Sequence, residues 1–145
     1  MSNEELIKLA IEAREFAYAP YSHWKVGAAL LTKSGKVYKG CNIENSGFTA
    51  TVCAERTAFF KAISEGVYDF DKIAIVGGDE KDGLQGICTP CGVCRQVMSE
   101  FCDPDNFRVI SAKSPEEYVD RSLREMLPEV NYVAMKDGYG FKGDR

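Results

Sequence analysis

Lys72-Ile73-Ala74-Ile75-Val76-Gly77-Gly78 decides how this chain folds. After the lysine come four apolar residues with no polar partner between them, then two glycines. A strand with one wet face alternates apolar and polar residues, so an unbroken run closed by glycines suits a strand covered on both faces. A sheet buried on both sides needs helices above and below it.

Working outward, the flanking sequence supplies them. Upstream, residues 53–64 read as a helix with Thr51 as N-cap and Gly66 as the stop. Before that, 26–32 and 37–41 read as two strands joined by Lys33-Ser34-Gly35-Lys36, a hairpin. The chain starts with Ser2-Asn3-Glu4-Glu5, a capping box, and helical spacing of Leu6, Ala10, Ala13 and Ala17 carries that helix to about Tyr18, before Pro20. Downstream, 79–90 reads as a loop. A helix follows to about Phe101 with Val97 and Phe101 facing inward, then a strand at 107–112, a fifth at 117–120 and a short helix at 122–127 closed by Pro128. Residues 136–145, rich in glycine and charge, read as a loose tail. No repeat, linker or low-complexity tract divides the chain, so residues 1–145 are expected to form one α/β domain.

Bulk composition narrows the function. With 45% hydrophobic and 28% charged residues the chain reads as globular, and no apolar run approaches the ~20 residues of a membrane span. Acidic residues outnumber basic ones 22 to 18, for a net charge of −4. That argues against a nucleic-acid polymer as partner, because such surfaces carry a basic excess. The polar, acidic N-terminus does not read as a signal peptide, and six cysteines then point to a reduced compartment, the cytoplasm, and to metal or catalytic thiols. His23 is the one histidine, so any transition-metal site must be built mainly from thiolates.

Two motifs concentrate that chemistry: Cys53-Ala54-Glu55-Arg56 and, some forty residues on, Pro90-Cys91-Gly92-Val93-Cys94-Arg95. Cys91 and Cys94, three apart at a helix start, share a face. Cys53 opens another helix, and side chains tilt toward a helix N-terminus. Two helix ends meeting tip to tip would aim three thiols at one zinc ion, leaving the fourth position open as in catalytic sites. Glu55 would reach that position from the first turn. The two helix N-termini, each worth roughly +0.5 charge, would offset the thiolates, and Arg56 and Arg95 are expected to donate hydrogen bonds to the sulfurs. A water on such an ion can approach a pKa of about 7, with Glu55 taking its proton. Scattered core thiols, a closed four-thiolate site completed by Cys88 or Cys41, and part of an iron–sulfur run (Cys88-x-x-Cys91-x-x-Cys94) remain the alternatives.

At these residues the chain resembles the zinc-dependent cytidine deaminases of nucleoside salvage, specifically the small homotetrameric class, in its all-cysteine form. The likeness extends through Tyr21-Ser22-His23-Trp24-Lys25-Val26-Gly27-Ala28-Ala29-Leu30, Gly40-Cys41-Asn42-Ile43-Glu44-Asn45 and Cys94-Arg95-Gln96-Val97, covering about residues 3–128. It implies a three-layer α/β/α fold whose central mixed sheet has about five strands, with helices on both faces. It also implies zinc on Cys53, Cys91 and Cys94, and Glu55 as proton shuttle to N3 and to the departing ammonia. Main-chain groups around Ala54 and Cys91 would contact the base, Asn42 and Glu44 would bind the ribose 3′-hydroxyl, and Arg56 would temper the sulfur charge. The implied substrates are cytidine and 2′-deoxycytidine. A different cytosine nucleoside, such as an antibiotic, or a non-catalytic zinc-stapled module are the other readings. Trp24 stands where the family usually has phenylalanine and would stack on the base in a tighter pocket. Near Leu127-Pro128 the family often donates an aromatic into a neighbouring subunit, a part for which Tyr132 is the candidate here.

Overall fold

The computed structural model of the chain describes residues 1–127. Helix α1 (Asn3–Arg14) leads to strands β1 (Trp24–Thr32) and β2 (Val37–Cys41), then to α2 (Ala54–Ser64) and β3 (Phe70–Asp79). The short β4 (Gly83–Leu84) precedes α3 (Gly92–Phe101), β5 (Arg108–Ala112), β6 (Tyr118–Ser122) and α4 (Leu123–Met126). The strands form one mixed sheet in the order β2-β1-β3-β5-β6, with β4 paired to the end of β3. Among the described residues only the β3–β5 pair is parallel; β1 runs antiparallel to both β2 and β3, and β6 to β5.

The apolar run at the centre divides between two cores. Ile73 and Ile75 of β3, with Ala28 and Leu30 of β1 and Val109 of β5, pack under Ala58, Phe59, Cys94, Met98 and Leu123 from α2, α3 and α4. Ala74 and Val76, with Ala29, Leu31, Ile110 and Ala112, pack under Leu6, Ile7 and Ala10 of α1. This is the three-layer α/β/α arrangement, and it explains why no polar residue interrupts 73–76: both faces are dry. Burying each of the larger of these side chains, the Val, Leu, Ile, Phe and Met, is worth about 1.5–3 kcal/mol.

Two glycines let the layers close. A Cβ on Gly27 would lie 2.0 Å from the Ala10 carbonyl oxygen, and one on Gly40 would lie 2.4 Å from that of Ala54. The α1 backbone thus rests on β1 from one side and the α2 backbone on β2 from the other.

Several expectations are corrected. Helix α1, with the Ser2–Glu5 capping box in place, stops at Arg14 rather than Tyr18. Tyr18 leaves the helix because it pairs with the strand-like segment beyond β2: its N–H donates to the Asn42 carbonyl and its carbonyl accepts from Glu44. Arg14 is buried and donates to the carbonyls of Lys25, Gly78 and Asp79, tying the ends of β1 and β3 together. Gly77 and Gly78 do not close β3, since the strand runs on to Asp79 while Gly78 admits the backbone of β4, a strand inside the expected loop 79–90. The N-cap of α2 is Cys53, not Thr51, whose hydroxyl instead accepts from the Asn45 N–H. On α3 the buried side chains are Cys94, Met98 and Ser99, whereas Val97 and Phe101 pack half-buried at the margin of the core. The last strand is Tyr118–Ser122, displaced from 117–120, and a second capping box, Ser122 with Glu125, opens α4. Pro128, Tyr132 and the tail at 136–145 lie outside the described residues.

Candidate active site

Two helix N-termini meet at the thiols. Cys53 is the N-cap of α2 and Cys91 the N-cap of α3, each in extended backbone, and Cys94 lies in the first turn of α3. The Sγ of Cys91 is 3.5 Å from that of Cys53 and 3.5 Å from that of Cys94, and all three sulfurs lie within 4.8 Å of one another. Tetrahedral zinc with Zn–S bonds of about 2.3 Å requires sulfurs about 3.8 Å apart. The donor set fits the ion in both spacing and softness. Cys53 precedes the helix, so the site sits over its end and not beside it, and Glu55 of the first turn lines the same cavity.

Cys88 is outside this group. Its sulfur packs on β3, where a Cβ on Gly77 would approach it to 2.8 Å, and burial pushes its thiol up to about 12. Cys41, on β2, and the buried Cys102 are likewise not among the three. Neither the closed four-thiol site nor the iron–sulfur run is assembled.

The electrostatics set one lowered thiol, Cys53, beside a buried carboxyl raised toward neutrality. A hydrogen bond from Cys94 and the Arg56 guanidinium, whose Nη2 lies 3.4 Å from Cys53 Sγ, draw the Cys53 thiol down to about 5. That hydrogen bond and burial push Cys94 up. Glu55 is 3% exposed, and burial raises its carboxyl to about 7, against the hydrogen bond from its own backbone. A group poised there can both take and give a proton near neutrality. Arg95 does not reach the sulfurs; it donates to the carbonyls of Pro90 and Met126 and so fixes the start of α3 to α4.

In front of the thiols opens a cavity of about 370 Å³, within the usual range for small-molecule sites. Cys53, Cys91, Ala54 and Glu55 line one end; Trp24, Asn42 and Glu44 line the other. Of the residues singled out for the site, all but Cys94, Arg56 and Arg95 are on its wall; Cys94 supplies one of the clustered sulfurs and Arg56 donates to Cys53. Asn42 is bound into the scaffold: its Oδ1 accepts from Val26 N–H at 2.8 Å and its Nδ2 donates to the Trp24 carbonyl at 2.8 Å. Glu44 accepts from the N–H groups of Tyr21 and Ser22 at 3.0 Å and from the Ser22 hydroxyl. Although desolvation opposes it, those bonds from Ser22 and Tyr21 hold the Glu44 carboxyl below its usual range. Ser22, Val26, Thr51, Val52, Cys88 and Thr89 also line the cavity without having been singled out for it. Ser22 and Val26 lie in the stretch 21–30 that carries the resemblance, and Cys88 was named only as an alternative fourth ligand; Thr51, Val52 and Thr89 are ordinary residues that the fold brings in.

An open cluster of three thiols, a buried carboxyl beside it and a small-molecule cavity in front define a metal-dependent hydrolytic enzyme on an α/β/α scaffold. The chain belongs to the cytidine and deoxycytidylate deaminase family: residues 1–109 match the family's zinc-binding region, and Cys53, Cys91 and Cys94 form a group that could hold such an ion. A cytidine deaminase of Sporosarcina psychrophila is 54% identical over 103 residues, 71% of this chain and 72% of that one. Another, from Halalkalibacterium halodurans, is 47% identical over 128 residues, 88% of this chain and 92% of that one. The crystal structure of cytidine deaminase from Burkholderia pseudomallei superposes with a TM-score of 0.82 at 43% identity, covering 90% of this chain and 100% of that one.

Proposed function

We propose that the protein hydrolyses cytidine and 2′-deoxycytidine to uridine and 2′-deoxyuridine with release of ammonia. One observation carries this reading: Cys53, Cys91 and Cys94 converge at a nucleoside-sized cavity whose wall also carries Glu55, buried and raised toward neutrality. Zinc on these three thiolates supplies a Lewis acid that lowers the pKa of a water toward about 7.

The chain's own residues do the rest. Glu55 takes a proton from the attacking water and passes it to N3 of the ring, then takes the remaining proton from the oxygen added at C4 and delivers it to the exocyclic nitrogen. A C–O bond forms at C4 as the C–N bond breaks, so that cytidine and water become uridine and ammonia. Arg56 offsets the charge of Cys53 and Cys94, which keeps three thiolates from cancelling the ion's acidity. Ala54 backbone and Cys91 backbone meet the base, Trp24 stacks against it, and Asn42 and Glu44 receive the ribose 3′-hydroxyl. The acidic balance of the chain supports a nucleoside over a polynucleotide.

The reading extends to a single-domain subunit of a cytoplasmic homotetramer serving pyrimidine salvage. Its support is the family likeness, together with Phe48 (79% exposed) and Val93 (58% exposed), apolar side chains that assembly would cover. Among the described residues no helix is long and apolar enough to cross a membrane. The test is the loss of cytidine ultraviolet absorbance on adding purified protein. Turnover is expected to stop after chelation and return with zinc; full activity in metal-free protein would overturn the reading.

A further inference from the structure

The loop before β1 is wrapped around a carboxylate. A glutamate side chain has about four acceptor positions, two on each oxygen. Oε1 of Glu44 accepts from the backbone N–H of both Tyr21 and Ser22, at 3.0 Å each, and Oε2 accepts from the Ser22 hydroxyl. One acceptor position, on Oε2, is left for the cavity that Glu44 and Ser22 both line.

The direction of the Ser22 hydroxyl is also determined. Its oxygen accepts from the Trp24 N–H at 3.0 Å. A hydroxyl has a single proton, and with Trp24 on the acceptor side and an ionised carboxylate on the other, that proton points at Glu44. Between these two bonds sits His23 with φ of 59°, the one non-glycine residue of positive φ among the described residues. A left-handed backbone is unfavourable for a residue with a Cβ. It persists because the turn is held on both sides, also by the His23 N–H on the Ala19 carbonyl and the Glu80 N–H on the His23 carbonyl.

We propose that Ser22 is a positioning residue for the sugar: it fixes the Glu44 carboxylate so that a single oriented acceptor faces the cavity, and discrimination in favour of a nucleoside bearing a 3′-hydroxyl runs through it. A ligand donating one hydroxyl proton fits the position left over; a ligand lacking that donor leaves it unused. This rests on the deaminase reading above and on Glu44 as the sugar contact.

The experiment compares Ser22→Ala and Ser22→Thr with the parent protein, all zinc-loaded and full-length, on cytidine and on 3′-deoxycytidine. Ser22 is exposed and the turn keeps its backbone bonds, so both variants are expected to retain zinc and thermal stability. Ser22→Ala should lower kcat/KM on cytidine about tenfold, through KM, because a hydrogen bond to a charged group is lost. On 3′-deoxycytidine the same change should matter less than about twofold, since no donor is present to use the oriented acceptor. Ser22→Thr should restore most of the loss. Equal losses on both substrates, or no loss on cytidine, would overturn the proposal while leaving the deaminase reading intact. If Glu44→Gln leaves cytidine kcat/KM unchanged, the sugar role of Glu44 fails and this inference falls with it.

Discussion

The two ends of the pocket are built by opposite means. At the metal end, three cysteines stand at or before helix N-termini, and the helices do the aiming: Cys53 and Cys91 are N-caps and Cys94 follows in the first turn. Backbone geometry positions side chains there. At the other end, the one proposed for the sugar, the side chains position the backbone. Asn42 holds the first residues of β1 through Val26 and Trp24, and Glu44 holds the loop before it through Tyr21 and Ser22. The metal end owes its precision to regular structure that forms locally, whereas the sugar end owes it to hydrogen bonds between segments some twenty residues apart. The lesson is that substitution should separate chemistry from stability at one end and mix them at the other.

The largest effect expected is from Glu55→Gln. The amide preserves shape but cannot shuttle a proton, so turnover should fall roughly 10²–10⁴-fold with one zinc per chain retained, read by absorbance assay alongside metal analysis. Unchanged turnover would end the role assigned to Glu55.

Asn42→Ala should behave differently, because it strips partners from the Val26 N–H and the Trp24 carbonyl. A loss of about 1–3 kcal/mol in stability is expected, seen as a lower Tm, together with a raised KM and unaltered zinc content. An unchanged Tm would show that the contrast between the two ends is misplaced.

The smallest effect should come from Cys88→Ala. This thiol lies beside the cluster and lines the cavity, yet is not one of the three grouped sulfurs. Zinc stoichiometry is expected to stay at one per chain; its loss would bring back a four-thiolate site.

Legibility in the sequence followed the same division. Cys53-Ala54-Glu55 and Pro90-Cys91-Gly92-Val93-Cys94 could be read as a metal site because ligand spacing at helix starts is a local matter. The run 73–76 could be read as a doubly covered strand because dryness on both faces leaves its mark on every residue. Local errors arose where a distant segment overrode local preference. Tyr18 left a good helical pattern to pair with Ile43, and Gly77 and Gly78, punctuation by type, became strand interior because β4 and β1 lie against them. Arg95 looked like a partner for the sulfurs from its place in the motif, but its helix phase carries it to Pro90 and Met126.

By itself, then, the sequence determined the layers, the three thiols that cluster and the buried carboxyl next along the chain, since helix starts, strand periods and ligand spacings are short-range properties. Only the tertiary structure decided which wall each residue occupies. It brought Ser22, Thr51 and Thr89 to the cavity, left Cys88 out of the cluster, and turned Asn42 and Glu44 into anchors of a loop as well as candidate sugar ligands. Those outcomes depend on strand order and on hydrogen bonds across long separations, which no short window of residues encodes.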